Sequence, residues 1–153
     1  MPKILNGSEL EEAVLWMNEA VKVSMFSPCQ RDKRGVVIVK NNEIIGEGGN
    51  RLPCDIICDS KYCEPSCKKT AIHAEMDAII NVRNRELLIG ARMYHARAEK
   101  GVLIDSRKPR CLDCAKYILA FGISEFVLKH EEGYVLYSAR ENYELSLQYE
   151  KSK

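Results

Sequence analysis

Two short apolar runs, Gly35-Val-Val-Ile-Val-Lys40 and Glu43-Ile-Ile-Gly46-Glu47, flank the pair Asn41-Asn42. Asparagine tolerates positive φ better than most side chains, so this spacing predicts a β-hairpin closed by a two-residue turn. On either side the apolar period changes from two to about 3.6. Ahead of the hairpin, Ser8 is placed to cap a helix. Glu11 and Glu12 fall in its first turn, and Ala13, Val14, Trp16, Met17, Ala20 and Val21 repeat along one face to about Met25. That face should lie on the core, with Trp16 as an anchor.

Behind the hairpin, Ala71 to Val82 reads as a helix carrying His73 and Glu75 in its first turns, through Met76, Ile79, Ile80 and Val82. Ala91 to Arg97 and Gly101 to Ile104 read as short strands, followed by the breaker-rich Asp105-Ser-Arg-Lys-Pro109. Cys111 to Ala120 reads as a helix ended by Gly122, and Ile123 to Lys129 as a strand. In the tail, Tyr134 to Tyr137 fits a strand and Ala139 to Tyr149 a helix. This order predicts an α/β layered domain with helices packed on a sheet. No internal repeat and no linker interrupts it.

At 153 residues the chain is the size of one domain. Lys plus Arg is 23 against Asp plus Glu 22, so no whole-molecule field draws in a polyanion, and nucleic acid is not expected as a partner. The first residues show no basic-then-apolar signal pattern. No apolar run approaches the roughly 20 residues of a membrane helix, and the expectation is a cytoplasmic protein.

Seven cysteines in a reducing compartment point to metal or thiol chemistry rather than disulfides. Cys29 stands alone, Cys54, Cys58, Cys63 and Cys67 are bunched, and Cys111 and Cys114 form a pair. His73-Ala74-Glu75 by itself is a weak signal, since a solvated helix start gives the same pattern. Cys111-Leu-Asp-Cys114 says more, because a Cys-x-x-Cys opening a helix lets both thiolates face one cation. Its alternatives are a redox pair or two inert core thiols. Together, one histidine and two thiolates supply three ligands to Zn²⁺ and leave a fourth tetrahedral position open for water, as catalytic zinc requires. Glu75 is then placed to move the protons of that water.

His-Ala-Glu on one helix and Pro-x-Cys-x-x-Cys on the next resemble the zinc-dependent cytidine/deoxycytidylate deaminase superfamily. The resemblance extends over Ser27-Pro-Cys29-Gln-Arg31, Ile44-Ile-Gly-Glu-Gly-Gly-Asn50 and Cys111-Leu-Asp-Cys-Ala-Lys116, covering roughly Met25 to Leu128. It implies a three-layer α/β/α fold around a mixed sheet of about five strands, and a homo-oligomer. It further implies that His73, Cys111 and Cys114 hold a catalytic zinc and that Glu75 shuttles protons. Asn50 would contact the base or sugar, and the Ala74 backbone N–H would hold the base carbonyl. The substrate it implies is a small-molecule nucleotide or nucleobase, deoxycytidylate first. A free nucleoside, guanine, a pterin-like ring or a tRNA base are the alternatives, beside a non-catalytic zinc module.

Two departures bear on the substrate. Arg110 separates Pro109 from Cys111, with a longer segment from Glu99 to Lys108, and Asn50 is followed by Arg51-Leu-Pro-Cys54 where the family has Gly-x-Pro-x-Gly. The stretch from Gly48 to Lys69 exceeds the roughly 12 to 15 residues of a usual unstructured loop, so something should order it. A second, structural zinc on Cys54, Cys58, Cys63 and Cys67 would do so, with Cys29 or His95 as substitute ligands; free thiols or disulfides are the alternatives. Arg31, Lys33, Arg34, Lys68 and Lys69 are placed to hold a 5′-phosphate, solvated surface charge being the alternative for most. His95 and His130 read as structural histidines, and the tail tyrosines as packing on the core or on a subunit interface rather than stacking on a base.

Overall fold

The computed structural model describes residues 1–54, 56–57 and 70–153, and Cys58, Cys63, Cys67, Lys68 and Lys69 lie outside the described residues. Asn41 and Asn42 take φ of 51° and 60°, so the hairpin turn is of the type the sequence predicts, joining β2 (Lys33–Lys40) to β3 (Glu43–Gly49). The remaining strands are β1 (Lys3–Ile4), β4 (Arg92–Glu99), β5 (Val102–Ile104), β6 (Glu125–His130) and β7 (Gly133–Ser138). They form one mixed sheet in the order β1-β7-β6-β4-β2-β3, with β5 paired to β4. Among the described residues only β4 and β6 run parallel, Tyr94 opposite Val127, and a helical crossover joins them.

Among the described residues, seven strands replace the expected five or so. One addition is β1, two exposed residues that extend the edge beside β7. Another is β5, which folds back on the end of β4 around Lys100 and Gly101, at φ 50° and 75°. The long segment after Glu99 is therefore a second tight hairpin.

Helix α1 (Gly7–Ser24) covers one face of the sheet. Its cap is Asn6 rather than Ser8, a shift within the usual uncertainty of helix ends. Ala13, Trp16, Met17 and Ala20 pack there on Val37, Val39, Tyr94 and Val127. The opposite face carries α2 (Ala74–Ile80), α3 (Leu112–Ala120) and α4 (Ala139–Lys151), over Val36, Ile38, Met93, Phe126 and Leu128. Successive strand residues point to opposite faces, so each central strand feeds both cores, and the three-layer arrangement follows. A capping box starts α4: Ser138 Oγ accepts from the Glu141 N–H at 3.0 Å, and Glu141 Oε1 accepts from the Ser138 N–H at 2.8 Å. Among the described residues no helix is long and apolar enough to cross a membrane.

Two glycines set how closely helices lie on the sheet. A Cβ on Gly35 would come 2.1 Å from the Ala20 carbonyl oxygen of α1, and one on Gly48 would come 2.3 Å from the Ala78 nitrogen of α2. Because the obstacle at Gly48 is helix backbone, Gly48→Ala should push α2 outward and destabilise the protein by about 1–3 kcal/mol. Urea unfolding should show this as a lowered midpoint at unchanged slope.

Candidate metal centre

Helix α2 starts at Ala74 and not at Ala71, because the residues before it are held extended. Ile72 and Arg51 exchange backbone hydrogen bonds of 2.7 and 3.0 Å, so Ile72 cannot enter the helix. His73 becomes the N-cap, with φ −70° and ψ 154°, and its ring stands off the helix start. Cys111 likewise caps α3 instead of lying within it: its Sγ accepts from the Cys114 N–H at 3.4 Å, and Cys114 follows in the first turn.

These two helix starts meet. His73 Nδ1 lies 3.2 Å from Cys114 Sγ and 3.3 Å from Cys111 Sγ, and the three donor atoms all fall within 4.8 Å of one another. Tetrahedral zinc bonds of about 2.0–2.1 Å to nitrogen and 2.3 Å to sulfur set N···S at about 3.5 Å, so the donor set fits Zn²⁺ in type and spacing.

The charge state of the trio reflects the same crowding. The hydrogen bond to Cys111 draws the His73 imidazole up to about 9, with burial opposing and the Glu75 charge assisting. Cys111 is drawn down to about 5, first by its hydrogen bond with Cys114 and then, against burial, by His73, while Cys114 is pushed up chiefly by Cys111 and by burial. A proton shared among these donors answers to negative potential that a bound cation would satisfy in its place.

Glu75 is the second residue of α2, with its side chain 8% exposed. Burial alone would push its carboxyl up, but His95 and His73 outweigh that and hold it well below the usual carboxylate range. His95, on β4, reads in the sequence as a structural histidine, with a place among the ligands of the second cysteine group as its alternative. It is buried under α2 with Nδ1 3.5 Å from Glu75 Oε2, its ring edge-on to Phe126. Met93, His95 and Arg97 share a strand face, but Met93 and Tyr94 are both apolar, so the sequence does not reveal which face turns toward α2.

Asn50 is drawn into the scaffold. Its Oδ1 accepts from the Arg34 N–H and the Ser27 hydroxyl, both at 2.8 Å, and its Nδ2 donates to the Asp32 carbonyl at 2.6 Å. One amide hydrogen is left over for a ligand by valence. At the first position of α2, the Ala74 N–H has no intrahelical acceptor. Of the proposed phosphate ligands, Arg31 is exposed, Lys33 Nζ donates to the Ser27 carbonyl, and Arg34 forks onto Asp32. The sequence reading missed Arg97, Arg107 and Arg110. Arg97 Nε donates to Asp32 Oδ1 at 3.0 Å, and the charges of Arg97 and Arg110 depress the Arg107 guanidinium.

Cys29 Sγ accepts from the Asp32 N–H at 3.4 Å, and Cys54 is exposed at φ 53°. His130 is structural, as expected: Nε2 lies 2.8 Å from the Tyr137 hydroxyl and Nδ1 3.0 Å from Asp105. Arg110 reaches over the Tyr149 ring, 6.0 Å from its centroid, so that tail tyrosine packs beside α3. An open groove between α1, β3 and α2, walled by Phe26, Ile45, Arg51 and Asp77, contains none of the trio.

The family model described as the cytidine and deoxycytidylate deaminase zinc-binding region matches residues 10–130. A deoxycytidylate deaminase of Mycobacterium phage D29 is 30% identical over 126 residues, covering 73% of this chain and 89% of the relative. The dCMP deaminase of cyanophage S-TIM5, solved in complex with dCMP and dUMP, superposes with a TM-score of 0.59 at 25% identity over 80% of this chain and 82% of that one. A cytidine deaminase from Burkholderia pseudomallei shares the fold, with a TM-score of 0.55 at 19% identity over 90% of this chain and 96% of its own.

Asp32 holds Arg34 and Arg97 together, and despite burial those two arginines keep its carboxyl below its usual value. A folded-state value below the unfolded one adds stability that is complete above about pH 4 and is lost as pH falls through the folded value. Asp32→Asn should therefore cost about 1 kcal/mol at pH 7, since an ion pair with a 37%-exposed carboxylate is near the surface range. The gap to wild type should close as unfolding is followed below pH 4.

Proposed function

This chain belongs to the cytidine and deoxycytidylate deaminase family, and we propose that it is a zinc-dependent hydrolase that replaces the amino group of a cytosine nucleotide, deoxycytidylate first, with a carbonyl and releases ammonia. The observation that carries this reading is the convergence of His73 Nδ1, Cys111 Sγ and Cys114 Sγ with a buried carboxylate, Glu75, on the next residue but one. A structural zinc has no use for that carboxylate.

His73, Cys111 and Cys114 would hold the zinc, which when bound would make the attacking water more acidic near neutral pH. Glu75 accepts a proton from the attacking water and passes it to the ring nitrogen beside the reacting carbon, then takes the remaining hydroxyl proton and gives it to the amino group, which leaves as ammonia while the carbonyl forms. The Ala74 N–H holds the base carbonyl, and the remaining Nδ2 hydrogen of Asn50 reaches the base or sugar. The charges of Arg97 and Arg110 depress the Arg107 guanidinium, and a nucleotide phosphate bound there would offset that repulsion. The phage relative and the cyanophage protein, by their names, support a nucleotide over a free base. The β4–β5 hairpin and Arg51 favour a second reading, in which the same machinery takes another aminated heterocycle.

The proposal includes one deaminase domain over residues 1–153, acting in the cytoplasm as a homo-oligomer, and a structural zinc on Cys54, Cys58, Cys63 and Cys67, which the spacing of those cysteines supports.

Glu75→Gln should keep its zinc and lose turnover by about 10²- to 10⁴-fold or more. Ammonia release from deoxycytidylate, cytidylate, cytidine, cytosine, guanine and adenosine, with zinc per chain measured on the same protein, checks both halves. Loss of zinc in the variant would remove Glu75 from the proton chemistry, and full turnover in it would favour a different base.

A further inference from the structure

His95 is 6% exposed, and among the described residues no hydrogen-bond partner reaches its Nδ1, which points at Glu75 Oε2 across 3.5 Å. Its other nitrogen, Nε2, lies 3.3 Å from Arg34 Nη1. A guanidinium has hydrogens to give and no lone pair to accept with, so Nε2 has to be the unprotonated, accepting nitrogen. The ring hydrogen then sits on Nδ1, aimed at the carboxylate.

Arg34 is held hard enough to enforce this choice. Its Nε and Nη2 fork onto the two carboxylate oxygens of Asp32 at 3.3 and 3.2 Å. The second hydrogen of Nη1 goes to the Ser106 carbonyl at 3.3 Å. With four guanidinium hydrogens committed, the head group cannot turn away from the imidazole. Behind the ring, Phe126 packs edge-on at 5.9 Å between centroids and stops it tilting.

We propose that His95 is a positioning residue for Glu75: held as its Nδ1–H tautomer by the Asp32–Arg34 fork, it donates to Oε2 and leaves Oε1 as the oxygen that carries the proton. The inference rests on Glu75 being the proton shuttle. The 3.5 Å contact is of the kind that tightens when substrate closes a site. The fork, the ring and the carboxylate come from three separate elements, the start of β2 with the residue before it, β4 and α2, so the relay also ties the carboxylate to the sheet.

Only three histidines are present, so long-range ¹H–¹⁵N correlation spectra of the zinc-loaded protein can report each ring. His95 should show a protonated Nδ1 and a bare Nε2; the opposite tautomer overturns the proposal, whatever the activity. His95→Leu fills the space without a donor, and His95→Asn puts an amide N–H where Nδ1–H was. With deoxycytidylate, Leu should lower kcat about 100-fold, the scale of a roughly 1 Å misplacement, with KM and zinc content kept, and Asn should recover at least about tenfold of it. A packing role predicts the reverse order, Leu above Asn, and that order would overturn the inference. If Glu75→Gln is inactive with full zinc while His95→Leu keeps its kcat, this inference alone fails. If Glu75→Gln turns over, the proton-shuttle reading fails first.

Discussion

Helix α2 can reach the centre of the site only because Gly48 offers no Cβ to the Ala78 backbone. Given that approach, Asp77 on α2 accepts from the Gly49 N–H at 3.1 Å and from Arg51 Nε at 2.8 Å. Arg51 in turn pairs its backbone with Ile72. Helix, strand end and the residue before His73 are thus joined in one closed circuit of hydrogen bonds around a largely buried carboxylate. Removing any member leaves a buried polar group unpaired, which costs more than the bond contributes. The position of His73 is a consequence of this circuit and not of helix propensity.

The other half of the site follows from the parallel pair. Parallel strands need a crossover, and the crossover between β4 and β6 contains α3, whose first turn supplies both thiols. A thiolate pair there gains from the positive end of the helix. Two unrelated devices, a bridge that keeps α2 from starting before Ala74 and a sulfur that caps α3, therefore bring three donors within coordinating distance of one point. Neither helix encloses its first donor; each presents it.

This division explains what the sequence reveals. The Asn41-Asn42 turn, the Cys-x-x-Cys helix start and the tail strand and helix are local signals, readable from neighbours in the chain. The start of α2 is not, because it depends on Arg51, twenty-one residues before Ile72. β1 is illegible for a different reason: two exposed residues carry no period, and only β7 makes them a strand. His95 escapes for want of phase, since an apolar residue on either face of β4 leaves its inward direction undetermined. The sequence singles out Asn50 as a candidate contact, and the structure adds that its oxygen is already spent on Ser27 and Arg34.

The hairpin that lengthens the segment before Cys111 is part of the site's support. Ser106, just past β5, gives its carbonyl to Arg34 and takes a backbone hydrogen bond of 2.9 Å to the Lys129 carbonyl through its own N–H. Asp105 accepts from the Arg107 N–H and lies 3.0 Å from His130 Nδ1, while its carbonyl accepts from Arg97. The inserted strand thus closes the Asp32–Arg34–Arg97 cluster from below and delivers Arg107 and Arg110 toward Cys111. Without the Ser106 carbonyl the second Nη1 hydrogen of Arg34 would lose its acceptor, and the Asp32 fork alone would hold the guanidinium against His95. Extra length and a histidine facing Glu75 are then two parts of one arrangement, and a substitution in the hairpin has to be read through the guanidinium it holds.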